Sequence, residues 1–417
     1  MQREHQEKKE RALLVGFATS SRERWEALDS LEELQQLAET AGYEVFEKFL
    51  QIRPQIDPAY YIGIGKAKEL GEIARQYGID IIIFDFELSH VQARNLEKVM
   101  GIKVMDRTQL IMKIFESRAR TSEAKIQVEL AQLEYELTHL VGRGKELSRL
   151  GGGIGTRGPG EKELEVEKRR IKDRITALKK KLKTIERTKK IHRKARRDFI
   201  KIALVGYTNV GKSTIMNLLT DASVYVDDKL FATLDATTRL LKLPGVPYRV
   251  VLSDTVGFIK DIPPGLIASF RATLGVLEDA DLILHVVDIS HPNMEEQIKT
   301  VEETLKEMNL KDKPVLMVFN KIDMLLDRNV IHRLRQKYPS SVFISARLKE
   351  NIDELVEKIK EMLEENFRHF DMEIPMEEFE RYSALKKYAY IEEEEFTDDR
   401  VKVKGIIHRK FEKILQK

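Results

Sequence analysis

The chain is 417 residues long, 42% apolar and 34% charged, with 72 Lys/Arg against 69 Asp/Glu and no cysteine. That length exceeds one ordinary core and predicts about two to four domains of soluble globular composition. Lack of cysteine excludes disulfides and thiolate metal sites, as suits a reducing, cytoplasmic setting, and no apolar run reaches the ~20 residues of a membrane span.

Taken in order, residues 12–17, 81–84 and 102–105 are short apolar runs that read as strands. Residues 31–41, 69–76 and 91–100 have helical spacing, the first ending at Gly42. Strands alternating with helices predict a small parallel α/β domain over residues 1–118. Residues 119–198 then carry two matching seams. Ile126, Leu130, Leu133, Leu137 and Leu140 are spaced 4-3-4-3, and Ile171, Ile175, Leu178, Leu182 and Ile185 repeat that spacing. Two equal seams so close together predict one antiparallel helical hairpin in a monomer, with a dimeric coiled coil as the alternative.

Between the seams, residues 142–160 hold 8 of the chain's 22 glycines, with Arg143, Lys145, Arg149 and Arg157 opposed only by Glu146. We read this as a basic, permissive tip suited to a phosphate backbone, with Arg143, Lys145, Arg149, Gly153, Gly155, Arg157 and Gly158 as RNA contacts; a plain linker is the alternative. Residues 153–158 also spell G-x-G-x-x-G, but a heptad helix precedes them and Pro159-Gly160 follows, which argues against a dinucleotide site. Charge is concentrated next door: residues 161–200 hold 17 Lys/Arg and 7 Asp/Glu, a net of +10, which leaves −7 for the rest of a chain whose total is +3. Such a block is a solvated helix face or a polyanion-binding surface.

Residues 199–367 read as a second α/β domain, and residues 368–417 as a small α+β domain without a chemical motif. Directly after the apolar run 202–205 comes Gly206-Tyr207-Thr208-Asn209-Val210-Gly211-Lys212-Ser213-Thr214. It fits G-x-x-x-x-G-K-[ST], in which loop amides hold the α- and β-phosphates, Lys212 reaches the β/γ oxygens and Ser213 offers a hydroxyl to Mg²⁺. Asp254-Thr255-Val256-Gly257 follows another apolar run, 41 residues past Ser213; Asp254 is placed to hold Mg²⁺ through water, and Gly257 to approach the γ-phosphate. Asn320-Lys321-Ile322-Asp323 ends a further run. Its Asp323 carboxylate suits the N1–H and N2 amine of guanine, a donor pair adenine lacks. Ser345-Ala346-Arg347 would offer backbone N–H to guanine O6. Between the first two motifs, Phe231-Ala232-Thr233-Leu234-Asp235 reads as the first switch, with Thr233 completing Mg²⁺ coordination and Thr237-Thr238 opening the next strand. Phe258 stands where many small GTPases place a water-orienting glutamine, which leaves the catalytic group unknown and predicts hydrolysis of GTP that is slow alone and stimulated by a partner.

Together these residues resemble the HflX family of ribosome-associated GTPases. The likeness is carried by FDFELSHVQARNLEK (84–98), DRTQLI (106–111), IQVELAQLEYEL (126–137), GGGIGTRGPGE (151–161), LVGYTNVGKST (204–214), FATLD (231–235) and DTVGFI (254–259). The chain departs from the family pattern at Lys162-Glu163, at Ala236 and at Gly265. The resemblance implies a P-loop GTPase that binds the large ribosomal subunit and its rRNA and splits or rescues stalled ribosomes in a stress response. In its P-loop Asn209 the chain is also similar to GTPases that recruit a K⁺ ion, which would then sit beside Mg²⁺. A protein-signalling switch whose hairpin docks a protein without touching RNA is the competing reading.

Overall fold

The structure, a computed structural model, describes residues 9–150, 159–194, 199–220, 230–231, 237–244, 246, 249–260 and 275–416, without the side chains of 141–150, 159–164, 186, 189–194 and 410. The chain divides into two compact units. Unit 1 is Met1–Glu186 with Asp227–Asp235 and Asp261–Ala272; unit 2 is Arg187–Val226, Ala236–Lys260 and Thr273–Lys417.

Unit 1 opens with four parallel strands, β1 (Arg11–Ala18), β2 (Glu44–Ile52), β3 (Ile81–Phe84) and β4 (Lys103–Asp106), in the order β2-β1-β3-β4. The two central strands are buried almost throughout, and buried parallel strands read as unbroken apolar runs. Helices α1 (Arg24–Thr40), α2 (Ile64–Tyr77), α3 (His90–Met100) and α4 (Arg107–Arg118) connect or follow them. Their ends obey local chemistry: Ser89 with Gln92 and Asp106 with Gln109 form capping boxes, and left-handed Gly78 and Gly101 close α2 and α3. The buried Arg107 guanidinium is bound by Asp85 at 2.7 Å and by Glu33, so the cation is doubly paired.

The hairpin follows as α5 (Ser122–Leu150) and α6 (Pro159–Lys194). Leu130, Leu140, Ile171, Ile175, Leu178 and Leu182 form one cluster with Ile126, Leu133 and Leu137 against it, as the two heptad seams predict. Helices that share a seam and are joined by so short a link must run antiparallel. The structure departs from the loop expected over 142–160. Residues 142–150 continue α5, placing Arg143, Lys145 and Arg149 on helix, whereas Gly153, Gly155, Arg157 and Gly158 lie outside the described residues.

Unit 2 holds a six-stranded sheet in the order β10-β9-β8-β5-β7-β6: β5 (Ile200–Gly206), β6 (Thr237–Leu241), β7 (Val250–Asp254), β8 (Leu282–Asp288), β9 (Val315–Asn320) and β10 (Val342–Phe343). Only β6 is antiparallel to its neighbour. The helices of this part include α7 (Lys212–Leu219), α8 (Met294–Glu307), α9 (Asn329–Lys337) and α10 (Ile352–Glu364). The C-terminal part is an antiparallel sheet of β11 (Phe367–Pro375), β13 (Arg400–His408) and β12 (Ala389–Phe396), with α11 (Phe379–Tyr388) against it. Among the described residues, no helix is long and apolar enough to cross a membrane.

Candidate guanine-nucleotide site

In unit 2, four loops at the carboxyl ends of parallel strands assemble the site. The first joins β5 to α7 and needs both its glycines. Gly206 has φ +152°, and a Cβ there would lie 2.2 Å from the Val286 carbonyl oxygen. Gly211 has φ +95°, and a Cβ would lie 2.3 Å from Asn320 Nδ2. Either side chain would force backbone or loop apart.

Lys212 is buried, and its ammonium donates to the carbonyls of Gly206 at 3.1 Å and Tyr207 at 2.6 Å. Burial lowers its pKa to about 8, with the carboxylate of Asp254 opposing the shift. An ammonium has three protons to donate, so one more acceptor can be taken, and a phosphate would also relieve the desolvation. Ser213 Oγ donates to Asp254 Oδ2 at 2.6 Å, and Asp254 is wholly buried at the end of β7. A hydroxyl and a carboxylate held this close are the hard oxygen donors Mg²⁺ prefers, so the pair fits that ion. Thr233, the third expected ligand, lies with Ala232, Leu234 and Asp235 outside the described residues.

The D-x-x-G loop lies on the P-loop. A Cβ on Gly257 would come 2.9 Å from Thr208 Cα and 3.0 Å from Lys212 Nζ, so only glycine fits this approach. Thr255 Oγ1 donates to the Leu204 carbonyl at 2.7 Å and fastens the turn. Phe258, which stands where many small GTPases carry a glutamine, is 3% exposed, so its ring is a packing group.

On the base side, Asn320 is a brace. Its Nδ2 donates to the Val210 carbonyl at 2.8 Å, and its Oδ1 accepts the Ala346 N–H at 2.9 Å. Ala346 thus spends its N–H within the protein, and Ser345 Oγ accepts the Leu348 N–H at 3.1 Å; Arg347 is exposed. Lys321, at φ +67°, pairs with Asp288 at 2.6 Å. Asp323 Oδ1 is buried with no hydrogen-bond partner among the described residues. A buried, unpaired carboxylate oxygen is costly, and the N–H donors of a guanine edge would fit it.

Phe231 and Leu230 belong to the segment that clusters with unit 1. Phe231 is buried edge-to-face against Phe115, ring centroids 4.6 Å apart, and the Leu230 N–H donates to Thr40 Oγ1 at 3.3 Å. The Phe231 ring is therefore a packing group. Sequence motifs point to neither this contact nor His285, which lies buried on β8 with its pKa lowered to about 3 by burial and by the Lys212 cation. No motif spacing marks a histidine inside an apolar strand.

Strand, phosphate loop, helix, D-x-x-G and N-K-x-D on one sheet define a P-loop GTPase. Three family profiles match in succession: "GTP-binding GTPase N-terminal" over residues 28–116, "GTP-binding GTPase Middle Region" over 118–196 and "50S ribosome-binding GTPase" over 201–321. The chain is 43% identical over 403 residues to the GTPase HflX of Caldanaerobacter subterraneus subsp. tengcongensis, covering 95% of this chain and 91% of that one. It is 40% identical over 375 residues to GTPase HflX of Escherichia coli K12, covering 89% and 88%. A GTP-binding protein of Sulfolobus solfataricus in complex with GDP is similar at 26% identity and TM-score 0.46, over 85% of this chain and 98% of that one. The chain belongs to the HflX family of GTPases, enzymes that hydrolyse GTP.

Proposed function

We propose that this chain is a Mg²⁺-dependent GTP switch that binds the large ribosomal subunit and promotes splitting or rescue of stalled ribosomes in the cytoplasm. The supporting observation is the exposed face of α6. Ile171, Ile175, Leu178 and Leu182 turn inward, while Arg169, Arg170, Lys172, Lys179, Lys180, Lys181 and Lys183 are exposed. A cationic rod of this kind suits an RNA phosphate backbone, and the matching family profile describes a 50S-binding GTPase.

At the nucleotide, Lys212 and the P-loop amides would bind the phosphates, Asp323 the guanine edge, and Gly257 the γ-phosphate through its N–H. Ser213, Asp254 and Thr233 would hold Mg²⁺, which when bound neutralises charge developing on the phosphates. A K⁺ ion near Asn209, which has φ +59°, is a further expectation, tested by comparing hydrolysis in KCl and NaCl. With Phe258 buried, water is left to be oriented by a partner, so turnover is slow alone and rises on the ribosome.

Co-sedimentation with ribosomal subunits in GTP-analogue, GDP and nucleotide-free states tests the reading across a salt series. Binding should favour the GTP analogue and fall steeply with salt. Deleting residues 151–160 should spare GTP binding and abolish subunit splitting. Absence of co-sedimentation in every state and at every salt would sink the proposal.

A further inference from the structure

We propose that Tyr207 is a positioning residue for GTP: its hydroxyl pins the loop carrying Gly257 to the P-loop, so that GTP binding depends on it and GDP binding does not. Tyr207 occupies a P-loop position where only backbone is needed for phosphate, yet its side chain is buried. Two backbone bonds join the loops, Phe258 N–H to the Gly206 carbonyl at 3.0 Å and Thr208 N–H to the Phe258 carbonyl at 2.8 Å, a parallel bridge between Tyr207 and Phe258. A third bond comes from the side chain: the Lys260 N–H donates to the Tyr207 hydroxyl at 2.6 Å.

A bridge of two bonds fixes a point, not a direction. Adding the bond at Lys260, two residues further on, fixes the direction of the strand-like stretch. Gly257 is thereby held over Lys212, where its built Cβ stands 3.0 Å from Nζ. The γ-phosphate must enter beside that ammonium, within reach of the Gly257 N–H. GDP ends one phosphate short and is indifferent to where Gly257 lies. The inference rests on reading Gly257 as the γ-phosphate contact.

Tyr207→Phe keeps the ring and removes only the hydroxyl. Titration of the full chain with fluorescent GDP and a fluorescent non-hydrolysable GTP analogue should show the analogue Kd rising about five-fold, as one neutral hydrogen bond implies, with the GDP Kd unchanged within about two-fold. Single-turnover hydrolysis should slow. In a Gly257→Ala background the loop is already displaced, and adding Tyr207→Phe should change nothing further. Equal losses for both nucleotides would make Tyr207 a general P-loop prop, and no loss for either would make its hydroxyl idle; each overturns the proposal. If Gly257→Ala itself left analogue affinity intact, the γ-phosphate reading would fall, and the pin with it.

Discussion

The Tyr135 hydroxyl donates to Asp106 Oδ2 at 2.6 Å, joining the hairpin helix α5 to the end of β4. Asp106 is 1% exposed and also accepts the N–H groups of Gln109 at 2.9 Å and Leu88 at 3.2 Å. Burial raises its pKa, and these donors oppose the rise, Tyr135 most strongly. One carboxylate therefore caps α4 and anchors α5. Tyr135→Phe removes a donor to a buried carboxylate without changing the ring, at a cost of about 1.5–3 kcal/mol. Urea unfolding should show that loss, with nucleotide affinity unaltered.

His285 makes acid stability measurable. Its pKa is lowered to about 3 in the folded chain by burial and by Lys212, against about 6.5 unfolded. Between those values the unfolded state binds the extra proton, so stability is full above the unfolded pKa and falls as pH drops, by up to about 1.4 kcal/mol per pH unit. His285→Asn should flatten that limb of a urea-midpoint profile between pH 4 and 6. An unchanged slope would place the proton elsewhere.

The nucleotide motifs are legible because backbone geometry dictates their residues: Gly206, Gly211 and Gly257 each face an atom that leaves no room for a Cβ. β3 shows as an apolar run because it is buried throughout. β2, EVFEKFLQI, is an edge strand with no fully buried residue, so its charges mask it from an apolar-run reading. At the tip, glycine count misleads: Gly142 and Gly144 cost roughly 1 kcal/mol each in a helix, yet α5 runs on to Leu150. The bond from Lys260 to Tyr207 spans 53 residues and follows from how two loops meet, which no local pattern encodes.

Gly71 sets the distance between α2 and α3. A Cβ there would stand 2.8 Å from Met100 Cα and 2.9 Å from its carbonyl oxygen, backbone atoms that cannot rotate aside. Gly71→Ala must therefore separate the helices and loosen the cluster around Leu70, Leu96 and Met100. Overpacking of this kind costs about 1–3 kcal/mol, at or above alanine's helix preference of about 1 kcal/mol, and the contact here is with backbone. The melting temperature should fall; a rise would show that α2 and α3 part freely.

Under the proposed function, Asp323 is the group that selects the base. Its buried Oδ1 has no partner among the described residues, while Asn320 on the same loop is committed to Val210 and Ala346. Asp323→Asn replaces an acceptor with an N–H₂ group, which would face the guanine N1–H and N2 donors. Losing a paired donor set in a buried site typically costs orders of magnitude in affinity, so the GDP Kd should rise at least about 100-fold. Xanthine carries a carbonyl where guanine carries the N2 amine, so the new amide matches it. Xanthosine diphosphate should bind the variant more tightly than GDP and the parent more weakly. Equilibrium titration of both proteins with both nucleotides provides the check, and a variant that keeps its preference for GDP would move base recognition away from Asp323.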